Sequence, residues 1–120
     1  MTRRVALASS DGKVIDRHFG QAEEFYIVDL LPEENSFHFV ERRQVDAACR
    51  GGEHDPAAFD RILALLEDCA DIIVSRIGTG AAVYMRRCGK RVLTQPGFIE
   101  DVLAALLKYE ARVNSKKPPG

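Results

Sequence analysis

The segment Asp71-Ile72-Ile73-Val74-Ser75-Arg76-Ile77-Gly78-Thr79-Gly80 (DIIVSRIGTG, residues 71–80) decides the fold. With Ala70 before it, it opens as a continuous apolar run, where a strand with one wet face would alternate. Such a run is the mark of a central strand covered on both faces. Gly78-Thr79-Gly80 then opens a helix that reaches Arg87 and stops at Gly89, a residue suited to a helix C-terminus. Strand, loop and helix in this order are the repeating unit of an α/β layered domain.

Working outward, Asp55-Pro56 is a helix start, with the carboxylate as N-cap and proline at the first helical position. Phe59, Ile62, Leu63 and Leu66 follow the spacing of a core-facing helix. Arg91-Val92-Leu93-Thr94 reads as a further strand, and Ile99, Val102, Leu103 and Leu106 put an apolar stripe on a final helix. The first half of the chain has a different period. Residues 3–9 form a short strand ending in the turn Ser9-Ser10-Asp11-Gly12, and residues 13–22 are mixed. Residues 23–31 form a second strand, ended by Pro32. A third alternates through Phe37, Phe39 and Glu41, making a hairpin with the second, and Cys49 to His54 reads as a loop. The predicted order is β-β-β-α-β-α-β-α, a mixed five-stranded sheet that is antiparallel at its start and parallel where helices intervene.

A chain of 120 residues is the size of one domain. We expect a single α/β domain over residues 1–110 and a disordered tail over 111–120. Seventeen basic against eighteen acidic residues give a net charge of −1, so no global field favours nucleic acid or an anionic membrane. The apolar stretch after Arg3-Arg4 is too short for a signal peptide, and a cytoplasmic location is expected. Cys49, Cys69 and Cys88 lack any Cys-x-x-Cys spacing, which argues against a structural zinc site or a disulfide framework.

In open α/β sheets ligands bind beyond the C-terminal ends of the parallel strands. The loops there are Ser9-Ser10, Ser75-Arg76 and Thr94-Gln95. Gly78 and Gly80 at a helix N-terminus suit close approach of an anion, although a tight turn capped by Thr79 is the simpler reading. Cys49 beside Arg50 has the setting of a thiolate and a metal ligand, or of an incidental loop thiol. Cys69 reads as a core residue and Cys88 as a surface or half-buried thiol. His18 read locally is a hydrogen-bonded structural histidine more often than a ligand, His54 serves the helix start, and His38 lies on the sheet surface. Arg42-Arg43, Arg86-Arg87 and Lys90-Arg91 are ordinarily solvated charges, although a ring of arginines near the loop edge could hold an anion.

Val14-Ile15-Asp16-Arg17-His18-Phe19-Gly20, followed by Ala22, Phe25 and Ile27, resembles the His-Phe-Gly signature of the dinitrogenase iron-molybdenum cofactor biosynthesis family, the NifX, NafY and NifB C-terminal-like domains. Arg42 to Val45 with Cys49 to Gly52, and the strand ending at Ile77-Gly78, are similar to two further stretches of that family, and the match runs in order over roughly residues 3–107. The resemblance implies a ribonuclease-H-like three-layer fold. It also implies a carrier or chaperone, not an enzyme, that holds an iron-sulfur or iron-molybdenum cluster, or another molybdenum-containing cluster, between donor and acceptor proteins of nitrogen fixation or a related pathway. His18 and Cys49 would be the metal ligands. Arg17, Arg50 and Arg76 would counter the cluster's charge beside Gly78. Two other readings compete: a protein-interaction module that binds no cluster, and a metal-dependent nuclease. The second needs converging carboxylates, and strand one, Val5 to Ser9, carries none.

Overall fold

The structure, a computed structural model, describes residues 2–45, 49–50, 53–54 and 56–116, with side chains described for residues 2–45 and 57–113. Its elements in chain order are β1 (Arg3–Ala8), β2 (Val14–Ile15), β3 (Glu24–Leu31), β4 (Ser36–Gln44), β5 (Cys49–Arg50), β6 (Glu53–His54), α1 (Pro56–Leu65), β7 (Asp71–Val74), α2 (Thr79–Arg87), β8 (Arg91–Thr94), β9 (Gly97–Phe98) and α3 (Ile99–Lys116). Short 3-10 turns occupy Phe19–Gln21 and Pro32–Glu34. No helix among the described residues is long and apolar enough to cross a membrane.

The main sheet has five strands in the order β4-β3-β1-β7-β8. Strand β1 pairs antiparallel with β3 and parallel with β7, and β7 pairs parallel with β8. Side chains alternate across β1: Ala6 and Ala8 enter a core with Phe25, Ile27, Ile62, Ile72, Val74 and Met85, under α1 and α2. Val5 and Leu7 enter a second core with Val28, Leu30, Ile73, Leu103 and Leu107, under α3. The alanines admit α1 and α2 to one face, while the larger aliphatics fill the space beneath α3 on the other. All four residues of β7 are buried, as a strand covered on both faces requires.

Asp71 was read as part of that apolar run, yet it is a charged residue with no exposed surface. Two guanidinium groups make this possible. Arg3 donates to its carboxylate at 2.8 and 2.6 Å, and Arg91 donates at 2.9 and 2.8 Å. Arg91 also donates to Glu110 of α3 at 2.6 Å and lies 5.6 Å from the centroid of the Tyr109 ring. One carboxylate therefore ties β1, β7, β8 and α3 together at the start of the parallel strands. Neither Arg91 nor its neighbour is the solvated charge the dipeptide Lys90-Arg91 suggests, because Lys90 donates to the carbonyls of Leu66, Glu67 and Cys69, just beyond α1.

Strand β4 departs from simple alternation. Phe39 pairs with Val28 and Glu41 with Ile27, so Val40 is an extra residue in a β-bulge. A single inserted residue reverses which face each later side chain occupies. Glu41 therefore leaves the face of Phe37 and Phe39, contrary to the alternation read from the sequence. Arg43 turns toward α1, where it donates to Asp68 at 2.6 and 2.9 Å and to the Leu65 carbonyl. It too is bound where a solvated charge was expected. At the turn after β1, Gly12 has φ +76°, and a Cβ there would lie 2.8 Å from the Tyr26 ring. Asp55 lies outside the described residues, as do 117–120 of the expected tail. Helix α3 itself continues to Lys116, beyond the boundary read at residue 110.

Asp71→Asn leaves two guanidinium groups around a neutral amide, and urea unfolding should show a loss of about 3–5 kcal/mol. Glu41→Gln, which removes only the exposed partner of the Arg43–Glu41 pair, should cost no more than about 1 kcal/mol. The Asp68 carboxyl is held below its ordinary value of 3.8, chiefly by Arg43 with Arg4 adding to it, and Asp29 is held down by Arg4. The folded chain thus binds these protons less readily than the unfolded chain. Their stabilisation is complete above about pH 4 and is lost as pH falls below it. Acid unfolding followed by circular dichroism should therefore shift to a shallower pH dependence in Asp68→Asn.

Candidate functional site at the C-terminal edge of the parallel strands

The chain leaving β7 is met by the segment after β2. Arg76 and His18 form a parallel β-bridge, with Phe19 N–H donating to the Arg76 carbonyl at 2.8 Å and Ser75 N–H donating to the Arg17 carbonyl at 3.0 Å. Residues 17–19 and 75–76, nearly sixty positions apart in sequence, are thereby fixed against each other.

Phe19 supplies the anchor. It is buried in the α1/α2 core, its ring centroid 6.0 Å from that of Phe59, which is 5.5 Å from that of Tyr84. Burying a phenylalanine contributes roughly 1.5–3 kcal/mol, which adds to the bridge in holding this short turn. With Phe19 turned inward, the extended residue before it turns outward: His18 has φ −72° and ψ 144° and is exposed, as are Arg17 and Arg76. The His18 side chain makes no capping bond to the turn it precedes. The local reading of His18 as a hydrogen-bonded structural residue finds no partner in that respect.

The neighbouring loops close around the same edge. After β1, Ser9 Oγ accepts from Gly12 N–H at 2.9 Å, and Asp11 accepts from the Lys13 and Val14 N–H groups at 2.8 and 3.1 Å. Asp16 accepts from both the Ser10 hydroxyl (2.6 Å) and its N–H (3.0 Å), tying this turn to the residues before His18. Beyond β8, Gln95 N–H donates to the Val74 carbonyl at 2.9 Å. Strands β2 and β9 add a two-residue ribbon below this rim, a pairing of positions more than eighty apart.

Gly78 caps α2 with its carbonyl, which accepts from Ala82 N–H at 3.0 Å, and Thr79 is the first helical residue instead of the cap. Among the described residues a Cβ at Gly78 or Gly80 would meet nothing within 4 Å, so packing against them does not require glycine at either position. Their openness leaves the first turn of α2 accessible to an approaching group.

The Cys49 and Arg50 side chains lie outside the described residues, but their backbone does not. Strand β5 runs beside the Phe19–Gln21 turn, with Cα atoms of the two within 8 Å. Strands β5 and β6 pair antiparallel, with Cys49 opposite His54 and Arg50 opposite Glu53. The loop read over Cys49 to His54 is thus a small hairpin, and His54, assigned to the helix start, is the register partner of Cys49. Two glycines between paired positions were the available signal for it. Ser75 was also passed over: its Oγ is buried and has no hydrogen-bond partner among the described residues. Among the described residues no group of three or more His, Cys, Asp or Glu side chains could hold a metal ion.

The other two cysteines divide as their positions dictate. Cys69 is buried, and burial together with the charge of Asp68 pushes its thiol up to about 11. Cys88 is exposed at the end of α2.

A domain with helices on both faces of a mixed sheet, and with an exposed histidine and arginines at the carboxyl ends of its parallel strands, belongs to the α/β architecture of dinitrogenase-related proteins. It superposes on the crystal structure of PH0822 with a TM-score of 0.68 at 25% identity, covering 88% of this chain and 89% of that one. A Methanocaldococcus jannaschii protein described as a dinitrogenase shares the fold, with a TM-score of 0.61 at 14% identity over 92% of each chain. The chain belongs to the dinitrogenase iron-molybdenum cofactor family, whose sequence profile matches residues 1–109. It is 31% identical over 119 residues to the FeMo cofactor biosynthesis protein NifB of Frankia alni, covering 96% of this chain and 22% of that protein. It is 29% identical over 120 residues to NifX of Rhodobacter capsulatus, covering 97% of this chain and 73% of that one. The chain therefore spans about a fifth of the NifB relative and most of the NifX relative.

In a Cys49→Ser background, a thiol reagent at pH 8 should modify Cys88 within the mixing time of a bench assay and Cys69 only on unfolding. Equal rates for the two in the native protein would contradict the burial of Cys69.

Proposed function

We propose that this protein takes part in iron-molybdenum cofactor biosynthesis as a carrier that holds a metal-sulfur cluster, or a precursor of one, in transit between a donor and an acceptor protein. The single observation that carries this reading is the His18–Arg76 bridge, which sets an exposed imidazole among exposed arginines at the ligand edge of a family member's sheet. The backbone of Cys49 and Arg50 beside the Phe19–Gln21 turn supports drawing the thiolate into the same site.

The cluster is cargo, and the residues suit cargo. His18 and Cys49 would be its ligands, since iron in sulfide clusters accepts thiolate and imidazole. A site with few protein ligands leaves most of the cluster's iron available to the next protein. Arg17, Arg50 and Arg76 would balance the cluster's negative charge, and the open first turn of α2 at Gly78 would offer N–H groups to its sulfides. In this reading the protein binds, neutralises and releases its cargo. The ribonuclease-H-like label belongs with this reading, on the strength of a sheet in which an antiparallel hairpin precedes the parallel strands. A cytoplasmic setting, where thiols stay reduced, belongs with it too.

Anaerobic titration with iron-molybdenum cofactor or an iron-sulfur cluster, followed by visible absorption and metal analysis, should show saturable binding. His18→Ala and Cys49→Ala should each weaken it about tenfold or more. Binding by both variants at the wild-type level would overturn the ligand assignment.

A further inference from the structure

The face of the sheet beneath α3 is only partly covered. Helix α3 packs over Val5, Leu7, Leu30 and Ile73, and beside it a groove of about 760 Å³ remains between the first turn of the helix and strands β3 and β4. Four aromatic rings line it: Tyr26, Phe37, Phe39 and Phe98. Phe39 and Phe98 are 60% and 65% exposed, and the Tyr26 and Phe39 ring centroids are 5.9 Å apart. Single exposed apolar residues are ordinary, but aromatic rings gathered at one groove are the pattern of a binding surface.

The rim is acidic. Asp11, Glu100 and Asp101 border the groove against a single lysine, Lys13. Glu100 and Asp101 also suit the N-terminus of α3, but Asp11 comes from a separate turn. Backbone N–H groups of Lys13 and Val14 hold its carboxylate in place.

The groove also limits the shape of an occupant. Its floor is a sheet face, and among the described residues β4 alone of the main-sheet strands lining it has an outer edge without a strand partner, so a segment lying in the groove itself binds through its side chains. A polyproline II segment makes no internal hydrogen bonds, is already extended, and presents rings that stack on aromatic side chains. Basic residues flanking it would meet the acidic rim.

We propose that this groove docks a proline-rich, basic segment of a partner protein. Phe98 at the groove's margin lies in the β2–β9 ribbon opposite Val14, which precedes His18 by four residues. The docking does not depend on cluster binding and can be tested without a cluster.

The test is fluorescence anisotropy of the full chain with a fluorescein-labelled peptide, Arg-Ala-Leu-Pro-Pro-Leu-Pro-Lys. Binding should saturate and weaken with added salt. Phe39→Ser should reduce affinity about tenfold, as should the double variant Glu100→Lys with Asp101→Lys. Val83→Ser, an exposed site on α2, should leave it unchanged, and circular dichroism should show all variants folded. Absence of saturable binding at about 1 mM protein overturns the proposal. So does binding at the wild-type level by both Phe39→Ser and the charge-reversed variant, or stronger binding by a helical Leu/Lys peptide. A dimer in sedimentation that Phe39→Ser dissociates would assign the groove to a second copy and overturn it as well.

Discussion

The rest of this structure depends on one buried carboxylate. Asp71 stands at the first position of the central parallel strand and takes four hydrogen bonds from Arg3 and Arg91 on the strands to either side. A carboxylate without exposed surface is tolerated only when such partners surround it, and removing any of them leaves charge stranded in a poorly solvated place. The clamp fixes β1, β7 and β8 at their N-terminal ends. Because strand rise is constant, it also sets where their C-terminal ends emerge, and so where Ser9, Ser75 and Gln95 lead into their loops.

At those far ends the chain is held by lighter means. A backbone bridge, a buried phenylalanine and a network of turn hydrogen bonds position His18, Arg17 and Arg76 without pairing their side chains into the core. The contrast suits the proposed task. The charged clamp and two apolar cores carry the stability, while the groups that would meet a cluster stay exposed and few. The aromatic groove opens on the α3 face of the sheet, while Phe19, which anchors the candidate site, is buried on the α1/α2 face.

Much of this was legible in the sequence where the signals are local. The apolar run at residues 72–74, the stripe on α3, Gly89 after α2 and Pro32 after β3 are all set by chemistry within a few residues. What escaped is non-local. The bulge at Val40 depends on how β4 meets β3, and no period within β4 alone reveals it. The ribbon of Val14–Ile15 with Gly97–Phe98 joins segments too short to carry a strand signal of their own. Asp71 passed as part of an apolar run because its partners, Arg3 and Arg91, are 68 and 20 residues away. The site was divided in the same way. His18, Arg17, Arg76 and Gly78 drew attention through residue type and a family resemblance, whereas the register of Cys49 with His54 and the unpartnered hydroxyl of Ser75 emerge only from the fold.

The central claim is that the imidazole of His18 holds a cluster's iron. Pulsed electron paramagnetic resonance of the cluster-loaded protein, in a paramagnetic state of the cluster, reads that bond directly. The account predicts a nitrogen coupling of imidazole type that His18→Ala abolishes and His38→Ala leaves intact. A loaded protein that shows no such coupling, or one that keeps it after His18→Ala, would contradict the account.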